Sequence, residues 1–195
     1  MGAAGKPKAR FARRRGEAPL LQMGICDLDL LGAYNYSCAL GWVPDELYIC
    51  MFKSILVVCV GNICRSPTGE ALLIKKLEGR GIQVSSAGLG ALVGKPVDAT
   101  AAQVMAAAGY ELPEHQARQL TADMLREADL VLAMEPKHLQ SIHSMAPEAR
   151  GKTFLFGKWT ADREVPDPYR QQLPAFEHVF NIMDESATAW LPYLK

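Results

Sequence analysis

Hydrophobic and polar residues follow different patterns in the two parts of this 195-residue chain. Residues 20–50 contain short apolar stretches that are broken by Gly and Asp and show no sustained period. From Met51 onwards, short apolar runs alternate with segments of helical period. We therefore predict a disordered or weakly structured extension over 1–50 and one folded domain over 51–195. An alternative for 1–50 is an artefact of gene-start assignment, because Met51 directly precedes the first clear strand.

The regular part of the chain predicts an alternation of β-strands and α-helices. The expected strands cover 55–58, 83–87, 130–134 and 153–156. The expected helices cover 68–77, 99–108, 121–127, 136–145 and 171–191. We expect Ser66 and Asp98 to cap the first two helices, Pro67 to be the first helical residue, and the last helix to be weakened near Pro174. This alternation predicts an α/β fold in which helices flank a parallel sheet on both faces.

Composition and charge exclude several classes of function. The formal net charge is zero, which argues against a general nucleic-acid binder. No apolar run approaches the roughly 18–20 residues that a membrane span requires. The five cysteines lack paired C-x-x-C spacing, so we expect neither a disulfide framework nor a zinc site. These features favour a cytoplasmic protein.

The segment from Cys59 to Pro67 carries the clearest chemistry in the sequence. Its core is a cysteine, five residues, an arginine and a serine, and it lies between a predicted strand and a predicted helix. A loop of this length wraps around a tetrahedral dianion with its backbone N–H groups directed inward, and the dipole of the following helix adds positive potential. Gly61 permits close approach of the backbone, and Asn62 tolerates a left-handed conformation. The nucleotide-binding pattern G-x-x-x-x-G-K-[ST] is absent.

Individual side chains in and near this loop have the properties of a phosphoryl-transfer site. Cys59 lies in the positive field at the end of a strand, so we expect it to be a thiolate when substrate arrives. Arg65 would hold two phosphoryl oxygens in a bidentate fork, which lysine cannot offer. Ser66 would donate its hydroxyl to the sulfur when a thiophosphate intermediate is hydrolysed. Asp167, restricted by Pro168, lies in a loop at the same edge of the sheet and could protonate a leaving oxygen.

The loop from Cys59 to Pro67 resembles the signature loop of the low-molecular-weight protein tyrosine phosphatases. The resemblance covers essentially all of 51–195, because Ser86-Ala87-Gly88, residues 115–120 (HQARQL) and Asp167-Pro168-Tyr169 occur in the family's order. Residues 86–96 (SAGLGALVGKP), 146–148 (APE) and 155–157 (LFG) are most similar to bacterial members associated with exopolysaccharide export. The resemblance implies a four-stranded parallel, flavodoxin-like sheet and hydrolysis of phosphotyrosine without a metal or other cofactor.

The resemblance also implies roles for individual residues. It makes Cys59 the nucleophile, Arg65 the phosphate clamp, and Asp167 the general acid and then the base for the attacking water. The expected substrate-binding residues are Val60, Gly61, Asn62, Ile63, Cys64, Ser66, Leu92 and Tyr169. Tyr169 would pack on the substrate ring, or would be no more than a partly buried aromatic residue. Leu92 would form the opposite wall of the pocket.

The remaining polar residues of the motifs are interpreted as support or as regulation. Ser86 and His115 would fix the loop through hydrogen bonds. Cys64 matches the family's second loop cysteine, and it would either form a disulfide with Cys59 under peroxide or simply fill space. The other three histidines share no ligand pattern, and we assign them no role: His138, His143 and His178.

Partners and competing functions stay open at this point. The resemblance suggests a phosphotyrosine protein as substrate, namely the tail of a bacterial tyrosine autokinase of polysaccharide export, and we expect a monomer. Arsenate reductase on the same fold is an alternative, but a thiol relay needs further cysteines and none follows Cys64. A phosphatase of small aryl phosphates is another. A binding module is a third, in which the basic residues of 1–16 would tether the chain to nucleic acid or to an anionic surface.

Overall fold

The β-strands form at the four segments that the sequence pattern singled out. The computed structural model describes residues 52–112 and 114–195, and the predicted extension over 1–50 lies outside the described residues. The strands are β1 (Ser54–Cys59), β2 (Gln83–Gly88), β3 (Leu130–Ala133) and β4 (Thr153–Leu155). All four predicted strands are therefore confirmed, with ends that differ by at most one residue.

Five α-helices separate and follow these strands in the described part of the chain. They are α1 (Arg65–Lys76), α2 (Ala99–Ala107), α3 (Ala122–Glu127), α4 (Pro136–Met145) and α5 (Leu173–Trp190). A 3-10 helix that the sequence pattern did not predict, Pro147–Lys152, leads into β4. Asp98 caps α2 as predicted, since its carboxylate accepts hydrogen bonds from the backbone N–H groups of Thr100 and Ala101.

The predicted starts of α1 and α5 were wrong. α1 begins at Arg65, its N-cap is Cys64, and Ser66 is a helical residue and not the cap. Pro67 still lies in the first turn, where its missing N–H leaves no intrahelical hydrogen bond unmade. For the same reason Pro174 does not weaken α5: the helix begins one residue before it, at Leu173.

The sheet is fully parallel, with the strand order β2-β1-β3-β4. The chain passes from β1 to one neighbour, β2, and then crosses to β3 on the other side of β1. The carboxyl end of β1 is therefore the topological switch point, where open α/β sheets bind their ligands. Cys59, the last residue of β1, lies at this point opposite Gly88 of β2. The predicted flavodoxin-like, four-stranded architecture is confirmed.

Alternate residues of the central strands pack on opposite faces of the sheet. One core contains Ile55 and Val57 of β1, with apolar residues of α1 and α5. The other core contains Leu56 and Val58, with Leu125 of α3 and apolar residues of α4. Because both faces are covered, the strands read as continuous apolar runs instead of alternating ones. Within the described residues, no helix is both long enough and apolar enough to span a bilayer.

Gly88 connects the end of the sheet to the loop that follows β1. A Cβ atom built on Gly88 would collide with the carbonyl oxygen of Val60 and would lie 3.0 Å from Cβ of Asn62. We expect Gly88→Ala to lower the free energy of unfolding by about 1–3 kcal/mol, since a fixed backbone atom must move. Urea denaturation measures this change.

Gly151→Ala is the matched control, because a Cβ on Gly151 meets no atom within 4 Å. This control is expected to stay within about 0.5 kcal/mol of the parent. An equal effect of the two substitutions would show that the contact with Val60 is not the cause.

Candidate active site

The loop between β1 and α1 is held from outside through its carbonyl groups. Six consecutive carbonyl oxygens, those of residues 59–64, accept hydrogen bonds from residues that lie outside the loop. Leu89 N donates to Cys59 O (2.9 Å), Gly90 N to Val60 O (3.0 Å), Leu92 N to Gly61 O (3.0 Å), His115 Nε2 to Asn62 O (2.7 Å), Asp98 N to Ile63 O (2.8 Å) and Thr68 N to Cys64 O (3.2 Å). Since a carbonyl can only accept, the Nε2 atom of His115 carries the proton.

This outward bonding fixes the direction of the N–H groups of the same peptides. In a trans peptide the N–H of one residue points opposite to the preceding carbonyl, and the described residues contain no cis peptide. The N–H groups of residues 60–65 are therefore turned towards the inside of the loop. The N–H of Asn62 donates to Cys59 Sγ at 3.3 Å, in agreement with this arrangement. Asn62 has a φ of 55°, which lies in the left-handed region that asparagine tolerates.

A chain of buried hydrogen bonds leads from Arg118 through Asn62 and Ser66 to the sulfur of Cys59. The backbone N–H of Arg118 donates to Asn62 Oδ1 at 2.8 Å, so the amide nitrogen of Asn62 points the other way. This nitrogen donates to Ser66 Oγ (2.8 Å) and to Ser86 Oγ (2.9 Å). Ser66 Oγ lies 2.9 Å from Cys59 Sγ, and either atom can be the donor while Cys59 is a thiol. A thiolate can only accept, so the donation from Ser66 to sulfur that the sequence analysis expects belongs to that state and stays a prediction.

Ser86 and Arg118 complete the support of this network. The hydroxyl of Ser86 donates to Glu70 Oε2 at 2.5 Å, and Arg118 Nε donates to the backbone carbonyl of Ser86 at 2.8 Å. Because a carboxylate only accepts, Glu70 accepts the hydrogen bond from the Ser86 hydroxyl, and the Ser86 oxygen accepts the one from Asn62. The structure thus places Ser86 and His115 in contact with the loop, as predicted. Glu70 and Arg118 were not singled out from the sequence.

Arg65 is a buried cation between two carboxylates. Its side chain is 2% exposed. Nη1 donates to Glu135 Oε1 at 2.5 Å and to the carbonyl of Val165 at 3.1 Å, while Nη2 donates to Asp167 Oδ2 at 2.6 Å. A buried guanidinium requires such partners because removing it from water is costly. Val165 in turn donates its N–H to the Met134 carbonyl beyond β3 (3.0 Å), which brings the Asp167 loop back to the centre of the sheet.

The thiol, the guanidinium and Asp167 border one pocket of about 160 Å³. Its lining residues are Cys59, Val60, Gly61, Ile63, Cys64, Arg65, Gly90, Leu92, Asp167 and Tyr169. Leu92 and Tyr169 are each 42% exposed and form parts of the wall. The guanidinium of Arg170 lies 5.3 Å from the centre of the Tyr169 ring and packs on it.

The structure places most, but not all, of the predicted substrate-binding residues at this pocket. The side chains of Asn62 and Ser66 do not line it, because both are fully buried behind the loop. The backbone N–H of Asn62 is nevertheless turned inward. A Cβ on Gly61 would lie 3.5 Å from the nearest side-chain atom of Ile63, which is an ordinary contact distance. Close approach of the Gly61 backbone to a bound dianion stays a prediction.

Several residues that position the site were not predicted from the sequence. Glu135, two residues beyond β3, contacts Arg65, and a carboxylate directly after a central strand was the signal that could have revealed it. Gln119 fixes the wall that carries Leu92, because its side-chain amide bonds Ala91 N (3.0 Å) and Leu89 O (2.9 Å). No pattern in the sequence indicates the contacts of Gln119.

Cys64 differs from Cys59 in its surroundings although both thiols are free and buried. Burial, together with the nearby carboxylate of Asp98, raises the pKa of the Cys64 thiol well above its ordinary range. Cys64 therefore stays protonated at neutral pH. A disulfide between the two residues under peroxide stays a prediction. Among residues 52–112 and 114–195, no group of three His, Cys, Asp or Glu side chains is arranged to hold a metal ion.

A parallel sheet with a thiol at the switch point, inside a loop that turns its N–H groups and an arginine inward, defines a cysteine-dependent phosphatase. Comparison with known proteins gives the family. The family model "Low molecular weight phosphotyrosine protein phosphatase" matches residues 54–195. The chain is 53% identical to the low molecular weight protein-tyrosine-phosphatase Etp of Escherichia coli strain K12. The match extends over 139 residues and covers 71% of this chain and 93% of the relative.

Solved structures agree with this assignment. The Erwinia amylovora tyrosine phosphatase AmsI is 47% identical with a TM-score of 0.71, and the match covers 74% of this chain and 94% of that one. Vibrio vulnificus Wzb in complex with benzylphosphonate is 48% identical with a TM-score of 0.70, over 73% of this chain and 99% of that one. The chain belongs to the low-molecular-weight protein tyrosine phosphatases and is a phosphoric monoester hydrolase.

The different surroundings of the two loop cysteines predict different reactivity. Treatment with iodoacetate at neutral pH is expected to alkylate Cys59 and to leave Cys64 unmodified, because a protonated buried thiol is a poor nucleophile. Peptide mapping by mass spectrometry separates these sites from the other cysteines. The Cys64→Ser variant should be inactivated at the parent rate, and inorganic phosphate should protect both proteins. Alkylation of Cys64 before Cys59 would contradict this reading of the site.

Proposed function

We propose that Cys59, Arg65 and Asp167 carry out phosphotyrosine hydrolysis in two steps. The Cys59 thiolate attacks phosphorus, the bond from phosphorus to the tyrosyl oxygen breaks, and Asp167 gives its proton to that oxygen. Water then attacks the cysteinyl phosphate while Asp167 takes a proton from it. The phosphorus–sulfur bond breaks, inorganic phosphate is released, and the Cys59 thiolate is restored.

The observation that carries this proposal is the inward direction of the N–H groups around Cys59 Sγ. These donors are fixed before any substrate binds, because the carbonyls of the same peptides are bonded outward. Fixed dipoles directed at developing negative charge are the largest source of stabilisation in many enzymes. The hydroxyl of Ser66 lies 2.9 Å from Sγ, and by donating to the thiolate it stabilises the sulfur as an anion and so makes it a better leaving group in the second step.

Arg65 and Asp167 have complementary tasks in this proposal. Arg65 binds two equatorial oxygens of the phosphoryl group as a planar fork. Asp167 is 46% exposed, so it can reach the leaving oxygen at the pocket mouth and exchange protons with water. The backbone N–H of Tyr169 donates to Asp167 Oδ1 at 3.1 Å and the Gln171 side chain donates to the Asp167 carbonyl at 2.7 Å, which keeps the carboxylate near the pocket.

We extend the proposal to the substrate. The apolar walls formed by Leu92 and Tyr169 suit an aromatic ring. The structure of the relative from Vibrio vulnificus is a complex with benzylphosphonate, in which a benzyl group is attached to phosphorus. The segments of residues 86–96, 146–148 and 155–157 favour the tyrosine-phosphorylated tail of a bacterial autokinase of polysaccharide export as the natural substrate. A cytoplasmic location, a monomeric state and a domain boundary at Met51 stay predictions from the sequence.

Activity measurements on variants test the assigned roles. With p-nitrophenyl phosphate and EDTA, Cys59→Ser is expected to abolish turnover. Asp167→Ala is expected to lower kcat by about 10²–10⁴-fold on a phosphotyrosine peptide, and by less on p-nitrophenyl phosphate, whose leaving group needs less help from an acid. Retained activity in Cys59→Ser would show that Cys59 is not the nucleophile. An equal effect of Asp167→Ala on both substrates would show that Asp167 is not the general acid.

A second test concerns the depth of the pocket. Two peptides that differ only in phosphotyrosine or phosphoserine are compared by release of phosphate. Cys59 is 3% exposed at the pocket floor, so the short seryl side chain cannot deliver its phosphorus to Sγ without moving the peptide into the wall. We expect kcat/KM to be lower by about 10²-fold or more for phosphoserine. Equal values would show that the walls do not select the aryl group.

A further inference from the structure

The guanidinium of Arg65 has two carboxylate partners, and they differ in how firmly they are held. The Glu135 side chain is 13% exposed, whereas that of Asp167 is 46% exposed. Glu135 is the N-cap of α4, and its backbone carbonyl accepts hydrogen bonds from His138 N and Leu139 N. It therefore lies on a rigid helix start directly beyond β3, whereas Asp167 lies on a loop.

The two carboxylates also hold different edges of the guanidinium. Glu135 and the Val165 carbonyl both bind Nη1, whereas Asp167 binds Nη2. No described residue accepts a hydrogen bond from Nε, so the edge formed by Nε and Nη2 has Asp167 as its protein partner. This is the edge that can hold two phosphoryl oxygens, because a fork of parallel N–H bonds matches two oxygens on one phosphorus. A dianion that binds this edge competes with Asp167 for the N–H groups of Nη2.

We propose that Glu135 is a positioning residue of the phosphatase reaction, which keeps the plane of Arg65 fixed while Nη2 exchanges Asp167 for the phosphoryl group. This inference rests on the proposed roles of Arg65 and Asp167. The exchange frees Asp167 to approach the leaving oxygen, so that phosphate binding and acid placement are coupled through one guanidinium. Glu135 makes the coupling possible, because Nη1 keeps two acceptors throughout.

The two oxygens of the Glu135 carboxylate have different cationic partners, and Oε1 is the partner of Arg65. Burial alone would raise the pKa of the Glu135 carboxyl, but hydrogen bonds from Lys137 and Arg65 hold it below its ordinary value, so Glu135 is ionised at neutral pH. Lys137 Nζ pairs with Oε2 at 2.7 Å and Arg65 pairs with Oε1. His138 Nε2 is 3.5 Å from Oε1. Burial lowers the pKa of the His138 ring. The charges of Arg65 and Lys137 lower this pKa further, whereas those of Glu135 and Asp167 raise it. The neutral ring does not compete with Arg65 for Oε1 of Glu135.

A positioning role and a purely electrostatic role predict effects of opposite sign. If Glu135 acted only through its charge, its removal beside Arg65 would strengthen the binding of a dianion. If Glu135 fixes the guanidinium, its removal weakens that binding. Competitive inhibition by inorganic phosphate measures the difference directly, and Lys137→Ala is the matched control because it removes the neighbour on Oε2 and leaves Nη1 of Arg65 paired.

The test measures the phosphate inhibition constant together with kcat and KM for p-nitrophenyl phosphate. We expect Glu135→Ala to raise the inhibition constant and to lower kcat/KM by about 10–10²-fold. Glu135→Gln keeps an acceptor for Nη1 and should recover part of the loss, and Lys137→Ala should stay within about twofold of the parent. An unchanged or lower inhibition constant in Glu135→Ala would overturn the proposal. If Glu135→Ala does not fold, Glu135→Asp takes its place, because it keeps the charge but shortens the reach to Nη1; an unchanged or lower constant in Glu135→Asp overturns the proposal equally.

A double-variant cycle with Arg65→Lys separates positioning from general damage to the fold. Lysine cannot form the fork, so Glu135→Ala should have an effect of less than about twofold in that background. The same loss in both backgrounds would show that Glu135 does not act through Arg65 and would overturn the proposal. If Cys59→Ser retained activity, the proposed function itself would fail; if only the Glu135 variants matched the parent, this inference alone would fail.

Discussion

Each carbonyl oxygen from Cys59 to Cys64 accepts a hydrogen bond from outside the inner face of the loop, and the donors come from separate parts of the fold. The loop after β2 supplies three of them, α1 supplies another, and the cap residue of α2 and His115 supply the remaining two. Peptide planarity then turns the N–H groups inward without any further interaction. The anion cradle is thus a consequence of how the sheet and helices surround β1.

The second constraint is the burial of a permanent positive charge. Arg65 cannot be deprotonated to escape the cost of burial, as a lysine can, so its surroundings must supply negative charge. Glu135 and Asp167 do so from the loops beyond β3 and β4, the two strands on one side of β1. The order of the sheet brings these carboxylates to the same edge as Cys59. One of them is firmly held and one is exposed, which allows the guanidinium to stay fixed while one partner changes.

The sequence predicted the central strands β1 and β3 well because parallel strands covered on both faces are continuous apolar runs. All four strands, including β2 with its two serines, were found within one residue of the predicted ends. The sequence also indicated that Cys59, Arg65 and Asp167 share one pocket, because each of the two motifs that contain them is a short continuous segment. The start of α1 was placed two residues late, since proline is tolerated anywhere in a first turn and does not mark its first position. Glu135, Glu70 and Gln119 were missed because each acts through a contact with a residue far away in the chain. The contacts of Glu70 and Gln119 have no signal in the local sequence, whereas the position of Glu135 just beyond a central strand was a signal that was not used.

The proposed two-step mechanism depends most on a covalent phosphoryl group on Cys59. Rapid acid quenching during turnover of a phosphotyrosine peptide, followed by peptide mapping, finds the residue that carries phosphate. The account predicts a phosphoryl group on Cys59 that forms as fast as tyrosine is released and disappears as inorganic phosphate appears. Phosphate on another residue, or full turnover with no phosphorylated Cys59 at any time, would contradict it.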